Sequence, residues 1–158
     1  MKVLFVCTGN TCRSAMAEAI FKRYGGHEVR SAGVAADEGA EASPGAVAAL
    51  KIKGFSLSTH RAQLLSQELV EWADLILTMT RRHKEIVTGK FPAVSAKTFT
   101  LKEFARDEAT QADGEPDIYD VLDPFGQDEA TYNACATEID SLVVLVARKL
   151  GLPSNMVE

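Results

Sequence analysis

Apolar and polar positions change rhythm several times along the chain. Lys2-Val3-Leu4-Phe5-Val6 is a nearly unbroken apolar run rich in β-branched residues, the pattern of a strand covered on both faces. It breaks at the turn formers Thr8-Gly9-Asn10-Thr11. Ser14 to Tyr24 then sets Met16, Ala19, Ile20 and Tyr24 on one face at helical spacing, with Ser14 as cap and Gly25-Gly26 as stop. Val29 to Val34 reads as a second strand, ending in Ser31-Ala32-Gly33 and the valine after it. Pro44 to Lys53 reads as a helix capped by Ser43, with Gly54 just past its end, and Ser66 to Trp72 as a short third helix. Ala73 to Met79 carries a buried strand around Asp74-Leu75-Ile76-Leu77. A helix opens on Thr80-Arg81-Arg82-His83-Lys84 and stops near Gly89; Lys97 to Leu101 is a fourth strand. The polar, acidic stretch from Arg106 to Pro116 is a loop. Asp128 to Leu150 is a long amphipathic helix with Ile139, Leu142, Val143, Val146 and Leu150 in one stripe.

Strands alternating with helices imply an α/β fold. The expectation is a single three-layer domain over residues 1–158: a four-stranded parallel sheet with helices on both faces. A chain of 158 residues buries enough surface to fold without a metal or a disulfide. Lys and Arg total 17 against 22 Asp and Glu, a net charge of −5. That balance argues against a nucleic-acid or anionic-membrane partner, since both require a basic surface. Three cysteines, an odd number, suggest free thiols in a reducing compartment rather than a disulfide framework. No apolar run approaches bilayer length, and the N-terminus enters a strand with no hydrophobic signal region before it. A cytoplasmic monomer is expected.

The informative stretch is Cys7-Thr8-Gly9-Asn10-Thr11-Cys12-Arg13-Ser14, between the first strand and the first helix. Ligands of parallel α/β sheets bind at the carboxyl ends of strands. A loop closing into a helix start there turns backbone N–H groups and the positive end of the helix dipole toward one point, a place that suits a phosphoryl dianion. Gly9 lets the backbone turn, and Asn10 tolerates a left-handed φ and can lock the loop with its amide. Arg13 and the loop donors would favour a thiolate, the nucleophilic form, at Cys7. Ser14 could donate its hydroxyl to the same sulfur. The planar fork of Arg13 fits two phosphoryl oxygens. A buried cysteine and a helix-capping serine are the blander account of the same residues. The spacing of Cys, five residues, Arg and Ser in this setting favours the phosphate loop.

These residues resemble the low-molecular-weight protein tyrosine phosphatase family. The segment from Val6 to Glu18 carries the family's Cys-five residues-Arg-Ser signature, Ser31-Ala32-Gly33 matches a second family segment, and Ala73 to Met79 a third. Asp123-Pro124-Phe125 stands where the family has its Asp-Pro general-acid loop. One departure is Ala15, where many members have Pro. The resemblance implies a phosphatase acting on phosphorylated proteins, with Cys7, Arg13 and Asp123 as its catalytic residues. Thr8 to Ser14 and Phe125 would then bind the phosphoryl substrate. It implies that Asp123 protonates the leaving group and then accepts a proton from the hydrolytic water. Without the resemblance, Asp123-Pro124 is an ordinary turn, and Asp120 is a nearby competitor for the role. The chemistry needs neither metal nor cofactor, and His27, His60 and His83 are scattered along the chain.

Thr11 stands where tyrosine-specific members carry a larger aliphatic residue, and Phe125 where many have Tyr. This pairing resembles the bacterial protein arginine phosphatases of the family and implies phosphoarginine as substrate, with phosphotyrosine the alternative. Thr11 as a neutral variant remains open. A disulfide between Cys7 and Cys12 would block the nucleophile reversibly; a small buried residue is the other account of Cys12. Cys135 reads as packing, Arg81 to Lys84 as a solvated helix end, and Trp72 as core, although Phe125, Trp72 and Tyr119 could wall a cleft. Arsenate reductases share the loop but need two further cysteines, and Thr78 to Val87 has none. A phosphate-binding module would have little use for Arg13 and Asp123 together.

Overall fold

A computed structural model describes residues 1–24, 27–106 and 118–151. Four parallel strands, β1 (Lys2–Cys7), β2 (Glu28–Gly33), β3 (Leu75–Thr78) and β4 (Thr98–Thr100), lie in the order β2-β1-β3-β4. The central β1 pairs on both sides, for example Val6 with Ala32 and with Thr78. Its side chains alternate as a strand must. Val3, Phe5 and Cys7 enter one apolar layer, Leu4 and Val6 the other. The first layer is closed by α1 (Arg13–Phe21), α2 (Pro44–Ile52) and α6 (Glu129–Lys149), through Met16, Ile20, Leu50, Ile139 and Val143. The second is closed by α3 (Gln67–Trp72) and α4 (Arg81–Lys90), through Leu69, Val70 and Val87. Each fully buried side chain of this size stabilises the fold by roughly 1.5–3 kcal/mol.

Most helix starts follow the expected chemistry. Ser43, Ser66, Thr80 and Asp128 cap α2, α3, α4 and α6, each accepting a backbone N–H from three residues on. α1 is the exception. It begins at Arg13, with Cys12 as an N-cap that makes no side-chain hydrogen bond, so Ser14 is not its cap. It also ends at Phe21, short of Tyr24, and Gly25-Gly26 lie outside the described residues.

Two elements depart from the sequence pattern. Pro92–Lys97 forms a 3₁₀ turn, and α5 (Leu101–Arg106) follows β4 directly, so Leu101 opens a helix rather than closing a strand. Arg106, expected to start a loop, ends α5; the rest of that loop through Pro116 lies outside the described residues. In α6 the stripe is as expected, with Ile139, Leu142, Val143 and Val146 buried and Leu150 packed at its edge. No described helix is long and apolar enough to cross a membrane.

Candidate active site

The carboxyl end of β1 and the start of α1 are joined by Thr8–Cys12, and this short segment is tied down from several directions. Asn10 is its hub. It is fully buried, and it is the residue that takes the left-handed turn, at φ 57°. Its Nδ2 donates to Ser14 Oγ and to Ser31 Oγ, each at 2.9 Å. Its Oδ1 accepts from the backbone N–H of Gln63 at 2.9 Å. The backbone carbonyl of Asn10 lies 2.6 Å from His60 Nε2. Gly9, expected to make the turn, has no left-handed φ; a Cβ there would meet only Thr11 Oγ1, at 3.7 Å. What glycine contributes at this position is an absent side chain, which leaves room above the loop.

Glycine is required at Gly33 instead. A Cβ on it would stand 2.4 Å from the Thr8 carbonyl oxygen and 2.9 Å from the Asn10 nitrogen. The end of β2 therefore packs backbone against backbone with the loop, closer than any side chain permits.

Inside the loop, Cys7 is 2% exposed. Its sulfur lies 2.8 Å from Ser14 Oγ and receives the backbone N–H of Asn10 at 3.3 Å. Since Ser14 Oγ already accepts from Asn10 Nδ2, its own hydrogen is available to the sulfur. Thr8, Gly9, Thr11, Cys12, Arg13, Asp123 and Phe125 line a cleft of about 210 Å³. Arg13 is 4% exposed. Its Nη1 donates to the Val121 carbonyl at 2.8 Å, its Nη2 lies 3.6 Å from Asp123 Oδ2, and its buried Nε has no partner among the described residues. That buried donor, and the uncapped first turn of α1, are what an incoming anion would satisfy.

Asp123 is half-exposed, and its Oδ1 accepts the Phe125 backbone N–H at 3.0 Å, holding the turn around Pro124. Asp120 is engaged elsewhere, accepting the N–H of Arg81 at the start of α4 at 2.9 Å.

A family model for low molecular weight phosphotyrosine protein phosphatase matches residues 2–151. The chain belongs to that family. It is 44% identical to the protein-arginine-phosphatase of Geobacillus stearothermophilus over 94% of this chain and 95% of that one. It is 34% identical to the low molecular weight protein-tyrosine-phosphatase PtpB of Staphylococcus aureus over 91% of this chain and 95% of that one. Among solved structures, the G. stearothermophilus arginine phosphatase superimposes with a TM-score of 0.84, covering 94% and 92% of the two chains at 44% identity. A cysteine-to-serine mutant of an arginine phosphatase, with a phosphorylated active-site serine, gives 0.84 at 40% identity over 99% of each chain.

Of the residues singled out in the sequence, Thr8, Gly9, Thr11, Cys12, Arg13, Asp123 and Phe125 line the phosphatase's cleft, while Cys7, Asn10 and Ser14 are buried and are not part of its lining. Trp72 stays apart, half-buried beneath the Arg30 guanidinium at 4.3 Å from its ring centre. Tyr119 is buried under Arg81 and lines no part of the cleft. Two of the histidines are not scattered in space. His60 reaches Asn10, and His83, 5% exposed rather than solvated, reaches Thr8 Oγ1 through Nε2 at 2.8 Å. Burial first, and then the Arg13 charge, lower the His83 pKa from 6.5 to about 4. The sequence marks Ser31 only as part of a family segment and Gln63 and His60 not at all; His83 has one signal, its spacing of four from buried Val87 on α4. Cys135 is packing, as expected, with its thiol pushed up to about 12 mainly by burial.

Proposed function

We propose that this phosphatase hydrolyses phosphoarginine in proteins through a phosphocysteine at Cys7. The observation that carries the reading is the Cys7 sulfur, held by the Ser14 hydroxyl and the Asn10 N–H beside a cleft that contains Arg13 and Asp123. In the first step the thiolate forms an S–P bond as the P–N bond to the guanidinium breaks, and Asp123 gives its proton to the leaving nitrogen. Arg13 binds two phosphoryl oxygens with the Nε that the fold leaves unsatisfied and the adjoining Nη2. Water then attacks phosphorus, Asp123 takes its proton, and phosphate leaves as the S–P bond breaks. The Ser14 hydroxyl stabilises the departing sulfur.

Two features support arginine over tyrosine. The chain is 44% identical to protein-arginine-phosphatases of two organisms over at least 94% of its length. Thr11, on the cleft wall, offers a hydroxyl to a polar guanidinium where a larger aliphatic side chain would offer apolar surface to a phenol ring. Phe125, 66% exposed at the rim, would pack against the substrate stem.

The Cys7 and Cys12 thiols are both free and buried, and a peroxide that oxidises them to a disulfide, itself reduced to water, would stop turnover until a thiol reductant restores both. Such chemistry belongs in a reducing cytoplasm, and we take the working unit to be a monomer.

Phosphoarginine and phosphotyrosine peptides assayed side by side, with Cys7→Ser as the control, test the reading. Phosphoarginine should be the better substrate, and Thr11→Ile should move the ratio of the two toward tyrosine by about tenfold. An unmoved ratio removes the role of Thr11; activity that survives Cys7→Ser removes the mechanism.

A further inference from the structure

We propose that His83 is a positioning residue of this site, holding the Thr8 hydroxyl so that its hydrogen is donated into the phosphate cleft. The inference rests on the phosphate-cleft reading above and adds a residue from a different layer of the fold. His83 sits in the first turn of α4, on the opposite side of the sheet from α1. Both of its ring nitrogens are engaged with threonine hydroxyls. Nδ1 lies 3.0 Å from Thr80 Oγ1, on its own helix cap. Nε2 lies 2.8 Å from Oγ1 of Thr8, the residue directly after Cys7 and part of the cleft wall.

A histidine kept only for packing would not need both contacts; Val87, one turn on, fills the same face with apolar atoms. The ring is neutral, so one nitrogen donates and the other accepts. Thr80 Oγ1 already accepts the His83 backbone N–H at 3.1 Å, and we assign its own hydrogen to Nδ1, 3.0 Å away. In that tautomer Nε2 carries the ring proton and donates a hydrogen bond to Thr8 Oγ1. With its oxygen occupied in this way, Thr8 turns its own hydrogen to the cleft, where the acceptors are phosphoryl oxygens. Thr80 thus fixes His83, His83 fixes Thr8, and the chain of hydroxyls ends on the substrate.

A double-mutant cycle on hydrolysis of para-nitrophenyl phosphate by the full chain tests this, using Thr8→Val, His83→Leu and the double variant. Each single change should lower kcat/KM about tenfold, the loss expected of one oriented hydrogen bond. The double should be no worse than Thr8→Val alone, because His83 acts through that hydroxyl. His83→Gln, whose amide nitrogen can stand where Nε2 does, should recover most of the activity. Effects that multiply to about a hundredfold in the double, or a Gln variant no better than Leu, overturn the proposal and leave Cys7 untouched. Should His83→Leu fail to fold, the exposed Thr8→Val must by itself lose about tenfold at an unchanged melting temperature, and parental activity there overturns the proposal. Activity that persists in Cys7→Ser overturns both this inference and the reading beneath it.

Discussion

The segment from Cys7 to Ser14 and the segment from Val121 to Phe125 meet in one cleft, yet they are built in opposite ways. The first is mostly buried, with Thr8 its exposed member, and is held by Ser31 of β2, His83 of α4, the His60 side chain and the backbone N–H of Gln63. The second is anchored at Val121, whose N–H goes to the Met79 carbonyl and whose carbonyl takes Arg13 Nη1. Beyond that point it emerges into solvent, with Leu122 70% and Phe125 66% exposed. The difference matches two chemical demands. A nucleophile and its phosphoryl cradle work best when the fold already holds them in place, because no energy is then spent on ordering them in the transition state. A proton donor must meet leaving groups of differing shape, and an exposed carboxyl on a short turn can do so. Damage to the first segment should therefore cost both stability and turnover, and damage to the second should cost turnover alone.

The largest expected effect is at the exposed end. Asp123→Asn removes the proposed proton donor while its half-exposed position leaves packing intact, so kcat should fall by about 10²–10⁴-fold. The unfolding free energy should stay within about 0.5 kcal/mol of the parent. Urea titrations run beside the kinetics check both halves; a comparable loss of stability would erase the contrast.

Next comes the buried side, read through pH. Burial and Arg13 hold the His83 pKa at about 4, against 6.5 when unfolded. The unfolded chain therefore binds more protons between those values, and stability rises with pH across that window. The contribution of the neutral ring is complete above about pH 6.5 and is lost as pH falls toward about 4. The shift corresponds to roughly 3 kcal/mol. Urea unfolding of the parent and of His83→Gln should show a pH slope in this window that is steeper in the parent. Parallel slopes would detach His83 from the stability of the loop.

How much of this is legible in the sequence follows from the range of each interaction. Cap residues such as Ser43, Ser66 and Asp128 act on groups three positions away, so composition alone marks them. The alternation along β1 and the stripe on α6 are periodic, and the sheet and its covering helices can be read from them. α5 escapes the sequence pattern because it is six residues long and starts where β4 ends, leaving no turn signal between strand and helix. Ser14 resembles a cap because its position next to a helix start is what caps share; of the two roles the sequence suggests for it, the fold keeps the hydroxyl against Cys7 and discards the cap. The loop's external anchors are separated from it by 21 to 75 residues, and nothing local in Ser31, Gln63, His60 or His83 signals a partner so far away.

The smallest expected effect divides the two carboxylates of the acidic segment. Asp120 and Asp123 are three residues apart and of the same residue type, but Asp120 accepts the first N–H of α4 while Asp123 faces Arg13. Asp120→Ala should therefore behave as the loss of a helix-end acceptor, lowering stability by about 0.5–1 kcal/mol and kcat by no more than about twofold. Its effect should also shrink in high salt, because the carboxylate interacts there with the positive end of a helix. If Asp120→Ala instead reproduced the loss expected for Asp123→Asn, general-acid duty would be shared across the segment. The contrast between a fixed cradle and a single exposed donor would then give way to one between a fixed cradle and a pair.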